Sequence, residues 1–287
     1  MQEKKRGRTH SRWLLPAALV LAGAAWFENF TLSTSTVTAA CAALPEAFSG
    51  LRIVQISDLH GRRFDAESRY LLELVRLQSP DLIALTGDLA DEFTDFSMLP
   101  PLLDGLTALA PTFYVTGNHE WVLSREKREA LFSMLDAAGV VRLQNEYRLL
   151  KKGQASIVLA GVDDPNGPYD QKRPAQLVRE IRQSRGRDAY ILMLSHRNDE
   201  LDLWANMGVQ TVLCGHGHGG IVRLPFVGAV FGTHLDLFPD YTAGLYRQGQ
   251  TSMNVSRGLG GSRKLPLRIG NRPEIGTVIL KTDSGEI

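Results

Sequence analysis

Cysteine is nearly absent from this chain. Only Cys41 and Cys214 occur among 287 residues, too few for a disulfide framework. Cys214 lies in an apolar, strand-like run, where a buried inert thiol is expected. Cys41 follows "TAA", faintly like a lipoprotein cleavage site, but the polar "TLSTST" separates it from the preceding apolar segment. Long apolar runs are missing too. "WLLPAALVLAGAAWF" (13–27) gives 15 uncharged residues before Glu28, short of the roughly 18–20 of a full membrane span. Net charge is only +1. Residues 1–12 carry Lys4, Lys5, Arg6, Arg8 and Arg12 against Glu3, which leaves 27 basic and 30 acidic residues for the remainder. A mildly acidic body argues against broad nucleic-acid binding, which needs clustered positive charge. No repeat at a solenoid period is present.

What is present begins with the basic head and the apolar run behind it. This combination fits a signal-anchor or the core of a cleaved signal, with a buried soluble helix as the third reading. No small-x-small site follows the run, which favours retention. We therefore expect residues 1–30 to be a basic head plus membrane anchor or uncleaved signal, and residues 31–287 to be the functional domain. The positive-inside rule then puts the head in the cytoplasm and the body outside. Shallow attachment on the cytoplasmic face is the other arrangement. Nothing in the sequence asks for an oligomer, and a monomer is expected.

The body alternates short apolar runs with helical stretches. "LRIVQIS" (51–57), "DLIALTGD" (81–88), "TFYVTGNHE" (112–120), "ASIVLAGVD" (155–163), "AYILMLSH" (189–196) and "VQTVLCGH" (209–216) read as strands, the third running into a loop. "ESRYLLELVRLQS" (67–79), "MLPPLLDGLTAL" (98–109), "REKREALFSMLDAAG" (125–139) and "AQLVREIRQSR" (175–185) read as helices. After about 220 the spacing is that of hairpins. The class is α/β, and the expected architecture is a double β-sheet sandwich flanked by helices.

The chemistry gathers where the strands end. "SDLHG" places Asp58 and His60 after one strand, and "TGDL" places Asp88 after the next. "TGNHE" places Asn118 and His119, "LSH" places His196, and "CGHGH" places His216 and His218. Five of the seven histidines thus fall at carboxyl ends of apolar runs. In layered α/β folds those ends converge on the ligand crevice. If the strands extend, Asp58 and His60 share a face at i, i+2, as do His216 and His218. Asn118 and His119 would then face opposite ways, Asn118 as a ligand and His119 free for acid–base work. The two oxygens of Asp88 suit a bridge between two cations. Singly, each residue has an ordinary reading: Asp58 an Asx turn, Asp88 a helix N-cap, His196 a hydrogen-bonded core residue. Together, two aspartates, an asparagine and four histidines form a mixed N/O set suited to Mn, Fe or Zn.

The order "SDLHG…TGDL…TGNHE…SH…GHGHGG" resembles the calcineurin-like metallophosphoesterase superfamily, with all five blocks intact over 58–218. The resemblance implies a dinuclear site. Asp58, His60, Asp88 and His218 would hold one metal, and Asp88, Asn118, His196 and His216 the other. His119 matches the family's non-ligand histidine, which assists the leaving group. The activity implied is hydrolysis of phosphoester bonds, most simply of phosphodiesters, by a metal-activated hydroxide. The basic head, "GLRIVQISDLH", "GVDDP" and the tail "SRGLG…PLRIGNRPEI" are similar to the bacterial membrane-associated phosphodiesterase branch. Gly217 and Ile221 stand where that branch often has threonine and glutamine. Some relatives act on UDP-2,3-diacylglucosamine in lipid A synthesis, so a lipid-linked pyrophosphatase is the alternative. The substrate is expected to be a phosphoester, lipid-linked or derived from the cell envelope. Arg62 and Arg63 suit a remote phosphate or simply a solvated loop. Arg257, Arg268 and Arg272 are weaker candidates. His234 is expected to be structural, and Asp163 and Asp164 to form a strand-end turn.

Overall fold

The computed structural model describes residues 11–233, 235–261 and 268–283. Two six-stranded sheets face each other. The first runs, edge to edge, β1 (Ser33–Cys41), β14 (Glu274–Thr282), β2 (Arg52–Ile56), β3 (Leu82–Thr86), β4 (Thr112–Val115) and β5 (Val141–Arg142). The second runs β12 (Gly244–Gln248), β13 (Thr251–Val255), β9 (Thr211–Cys214), β8 (Ile191–Leu194), β7 (Ala155–Gly161) and β6 (Glu146–Lys152). A separate hairpin joins β10 (Val222–Leu224) to β11 (Gly228–Phe231). The helices are α1 (Ser11–Phe30), α2 (Arg69–Leu77), α3 (Leu99–Leu109), α4 (Asn118–Val122), α5 (Arg125–Ala137), α6 (Pro174–Arg185) and α7 (Leu201–Asn206).

The centre of each sheet is parallel, β2–β3–β4–β5 in one and β7–β8–β9–β13 in the other. Parallel strands are covered on both faces, which is why they read as unbroken apolar runs. Alternation along each strand sorts the side chains into layers. Val54, Ile56, Ile83 and Leu85 pack outward against Leu71, Leu102 and Leu131 of α2, α3 and α5. Ile53, Leu82 and Ala84 turn inward to meet Leu159, Leu192, Leu194 and Leu213 of the other sheet. Ile191, Met193 and Val212 face Leu177, Ile181 and Trp204 of α6 and α7. The result is a helix–sheet–sheet–helix stack, as the apolar pattern predicted. Each fully buried leucine or isoleucine contributes about 1.5–3 kcal/mol.

A polar bridge ties the sheets together close to the strand ends. Gln55 Nε2 donates to Cys214 O (2.8 Å) and Thr86 Oγ1 (3.0 Å), and Asn254 Nδ2 donates to Gln55 Oε1 (2.8 Å). Every group in this buried chain has a partner, so it fixes the register of the sheets without an unsatisfied dipole. The carboxyl ends of β2 and β9 therefore meet at one edge of the sandwich.

Some elements differ from the sequence reading. The polar "STSTVTAAC" is β1, a half-exposed edge strand parallel to β14. Its alternating Ser, Thr and Val have strand character, but it carries no apolar run to announce it. The six-residue α7 was also unforeseen. "GNHE" starts the helix α4 rather than a loop. Both cysteines are buried and free, which for Cys214 is the inert thiol expected. The apolar run 13–27 lies inside α1, and among the described residues no helix is long and apolar enough to cross a membrane.

Candidate metal centre

The loops at the ends of β2, β3, β4, β8 and β9 bring all seven expected ligands, and His119, to one place. Asp58, His60 and His218 form one close group, and Asp88, His196 and His216 another. Asp88 Oδ2 lies 3.3 Å from His196 Nε2 and 3.6 Å from His60 Nε2, so this carboxylate stands between the two groups. His218 Nε2 is 3.6 Å from Asp58 Oδ1. Asn118 Oδ1 lies 3.2 Å from His196 Nε2. His119 joins a third close group with His60 and Asp88; its N–H donates to Asp88 Oδ1 (2.8 Å), and its ring stands edge-on to His60 at 4.7 Å.

The local reason for this convergence is not strand pleating. Asp58, His60, Asp88, His216 and His218 all have positive φ, between 48° and 66°. Side chains therefore leave tight left-handed turns past the strand ends, and the shared face expected of extended i, i+2 residues does not arise. Such conformations cost about 1–3 kcal/mol each and persist only where surroundings impose them. Here the surroundings include backbone N–H groups aimed at the carboxylates. His216 N–H donates to both oxygens of Asp58 (3.0 and 3.1 Å). Asn118 and His119, as successive residues of a helix, diverge by about 100° rather than facing opposite ways. Two glycines leave room for the carboxylates. A Cβ on Gly117 would sit 2.2 Å from Asp88 Oδ1, and one on Gly215 would sit 2.3 Å from Asp58 Oδ2.

The electrostatics match a cation site. Burial pushes His216 down to about 2 and His218 to about 4, helped by the neighbouring charges of His196 and His60 respectively. Both rings are neutral at physiological pH, the form that ligates metals. Burial opposes charge on His196 too, but Asp88 outweighs it and raises the ring to about 10. His60 is raised against burial by Asp91, Asp88 and Asp58. Burial works the other way on Asp88, but the nearby rings of His196 and His60 hold its carboxyl far below the usual range. These buried carboxylates call for positive charge between them. Both ring nitrogens of His60 and Nδ1 of His218 are buried without hydrogen-bond partners. Buried polar nitrogens without partners are expected where a ligand belongs. The donor set thus fits a pair of divalent ions.

Three supporting residues, Glu120, Asp91 and Arg197, escaped the sequence reading, and Asp164 was read only as part of a turn. Glu120 of α4 is fully buried and accepts from the N–H groups of Asp88 (3.0 Å), Leu89 (2.7 Å), Ala90 (3.3 Å) and Gly117 (2.7 Å). It clamps the β3 loop to the β4 loop. Burial, then the charge of Asp88, raises it to about 7. Asp91 Oδ2 lies 3.7 Å from His60 Nδ1. Arg197 is held by Asp164 (2.6 and 3.1 Å), and its Nη1 lies 3.0 Å from His216 Nε2. Asp164 also accepts from Asn166 N–H (2.9 Å), so the expected turn is there, with a second task. The acidic residue of "GNHE" and the Arg beside His196 were visible in sequence, but nothing signalled their partners.

The weaker arginine candidates are engaged elsewhere. Arg62 bonds the carbonyl of Asn29 and stacks over Phe30 (5.5 Å) and Phe64 (5.3 Å). Arg63 pairs with Asp95 (2.7 Å) and Ser97 (2.8 Å). Arg257 pairs with Glu274, and Arg272 bonds Leu32 O and covers Phe27. Arg268 is buried under carbonyls of Gly260, Arg257 and His218. It braces the backbone beneath the site. His234 lies outside the described residues. Beside His216, residues 197–199 and part of 232–242 line a cavity of about 400 Å³.

Comparison with known proteins agrees with the geometry. The calcineurin-like phosphoesterase profile matches residues 51–220. The chain is similar to the uncharacterized metallophosphoesterase YkuE of Bacillus subtilis (strain 168), 31% identical over 267 residues, covering 90% of this chain and 89% of that one. It is equally similar to the phosphodiesterase YaeI of Escherichia coli (strain K12), 31% identical over 229 residues, covering 78% and 80%. Among solved structures, TT1561 of Thermus thermophilus superposes with a TM-score of 0.47 at 14% identity, covering 73% of this chain and 90% of that one.

Proposed function

This chain belongs to the calcineurin-like phosphoesterase family, hydrolases of phosphoric esters built on a dinuclear metal centre, and from that premise we propose that it is a phosphodiesterase using two divalent ions drawn from Mn, Fe or Zn. One observation carries the reading: three overlapping ligand groups meet in one space, with Asp88 and His60 shared between them. The relative YaeI is named a phosphodiesterase, which supports the choice of diesters.

In this proposal Asp58, His60, Asp88 and His218 hold one ion, and Asp88, Asn118, His196 and His216 the other. Bound there, the ions supply charge neutralisation at the phosphoryl oxygens and acidify water. The protein positions and excludes. Asp91 orients His60, the Asp164–Arg197 pair abuts His216, and Glu120 keeps Asp88 in its turn. His119 gives a proton to the leaving oxygen.

Residues 31–287 form the phosphoesterase domain in this reading, and residues 1–30 attach it to the membrane with the body outside the cytoplasm. The basic head and apolar run support that arrangement. Protease added to intact cells should digest the body; a protected body would place it on the cytoplasmic face. For the chemistry, the test is hydrolysis of bis-p-nitrophenyl phosphate with added Mn. Wild type should turn over and Asp88→Ala should not. Metal-independent turnover, or none on any phosphoester, would remove the proposal. A parallel screen of monoesters, diesters and UDP-sugar lipids separates the phosphodiesterase from the lipid-linked pyrophosphatase.

A further inference from the structure

Several of the large apolar side chains left exposed among the described residues stand along a ridge made of three hydrogen-bonded segments. Trp26 and Phe30 end α1, Phe226 and Val227 form the β10–β11 turn, and Leu237 and Phe238 follow in the next loop. Phe226 is fully exposed and Leu237 is 70% exposed. The three segments are joined by hydrogen bonds. Asn29 of α1 bonds both the N–H (2.9 Å) and the carbonyl (3.0 Å) of Arg268. Ile269, itself exposed, pairs with Ile221 (3.0 Å) and Arg223 (2.8 Å) of the hairpin. The hairpin in turn binds Phe238 through Val230 O (3.0 Å).

We propose that this ridge is a membrane-docking face, with the β10–β11 turn and the 235–238 loop entering the headgroup boundary beside α1. Contiguous exposed apolar surface marks an interaction site. Its composition is that of an interfacial element: tryptophan, phenylalanine and leucine beside arginines. Arg272 lies over Phe27 (4.5 Å) and Arg62 over Phe30 (5.5 Å). These cations complement anionic headgroups. Protruding turns with fully exposed aromatics fit a fluid surface better than a complementary protein face.

The consequence for substrate choice rests on the phosphoesterase reading. The segment that shows Leu237 and Phe238 outward also lines the cavity at His216, through Gly232, Asp236 and Pro239. A docked protein therefore presents that cavity at the bilayer surface. The substrate class is a phosphodiester carried by a membrane lipid, with the ester in the headgroup.

The test uses the full chain with an environment-sensitive fluorophore on Phe226→Cys or Phe238→Cys. Cys41 and Cys214 are buried, so the label reads the introduced thiol. With vesicles of phosphatidylcholine and phosphatidylglycerol, both probes should shift to the blue and be quenched by spin-labelled lipid. A probe on Tyr169→Cys, at a 99% exposed position, should not change. Unshifted probes on protein that sediments with vesicles would overturn the proposal, and so would failure to sediment. A blue shift without lipid, accompanied by dimer formation, would assign the ridge to a second copy instead. Hydrolysis of bis-p-nitrophenyl phosphate is read on the same samples. Its absence would remove the phosphoesterase reading and leave the docking result standing.

Discussion

Glu120 is the residue whose loss should report most clearly on how the centre is built. Its Oε2 receives the N–H groups of Asp88 and Gly117, and its Oε1 those of Leu89 and Ala90, all buried. Glu120→Ala abandons four donors. A buried N–H without a partner costs about 1–3 kcal/mol. The four share one cavity and one entering water can satisfy some of them, so the costs do not add fully. We expect about 4–6 kcal/mol, a large share of the roughly 5–15 kcal/mol that holds a typical domain. Glu120→Gln keeps one acceptor oxygen but turns an NH₂ toward the other pair of donors. It should cost about half as much, because two N–H groups then face a donor. The effect on function follows from Asp88, whose left-handed turn (φ 53°) is held in part by this clamp. Metal affinity should fall about 10- to 100-fold in Glu120→Gln, as for loss of other partners that orient a ligand. Urea unfolding measures the first quantity and Mn titration by calorimetry the second. If Glu120→Gln matches wild type in both, the clamp does not position the site.

Two further outcomes are expected. Gly117→Ala keeps a backbone any residue adopts (φ −101°, ψ −171°), yet its Cβ would press within 2.2 Å of Asp88 Oδ1. Diester turnover should fall about 100-fold from a displacement of roughly 1 Å, and unchanged kcat would show that Asp88 tolerates movement. Burial and the charge of Asp199 raise Glu200 to about 7 from an ordinary 4.5. The folded state then holds this proton more tightly than the unfolded one, so the group's contribution to stability falls between pH 4.5 and 7. Glu200→Gln should stabilise the protein by about 2–3 kcal/mol at about pH 8 and leave it unchanged at about pH 4. Thermal melts at the two pH values check this, and a pH-independent difference refutes it.

Much of this protein was written in one dimension. Apolar runs marked the parallel strands because strands buried on both faces need no polar alternation. The seven ligand candidates were visible because each follows such a run, and parallel strands deliver their carboxyl ends to one edge. The edge strand β1 was not legible, since Ser33, Ser35 and Thr36 carry no burial signal. Nor was the reason the histidines converge. Strand pleating predicted the right neighbours for the wrong cause, because Asp58, His60, His216 and His218 have positive φ and are held by hydrogen bonds to distant loops, His218 through Asn271 Nδ2 donating to its carbonyl.

The sequence alone therefore determined which side chains carry chemistry and on which strand ends they stand. Only the tertiary structure decided who supports them: Glu120 under the Asp88 loop, Asp91 behind His60, Asp164 and Arg197 against His216. It also decided that Arg62 and Arg63 are occupied elsewhere, and that α1, Ile269 and the hairpin share a surface. Residue type and local spacing are properties of the chain. A hydrogen bond between residues far apart in the chain, such as Asn29 and Arg268, is a property of the fold, because only packing sets which groups arrive within about 3 Å of one another.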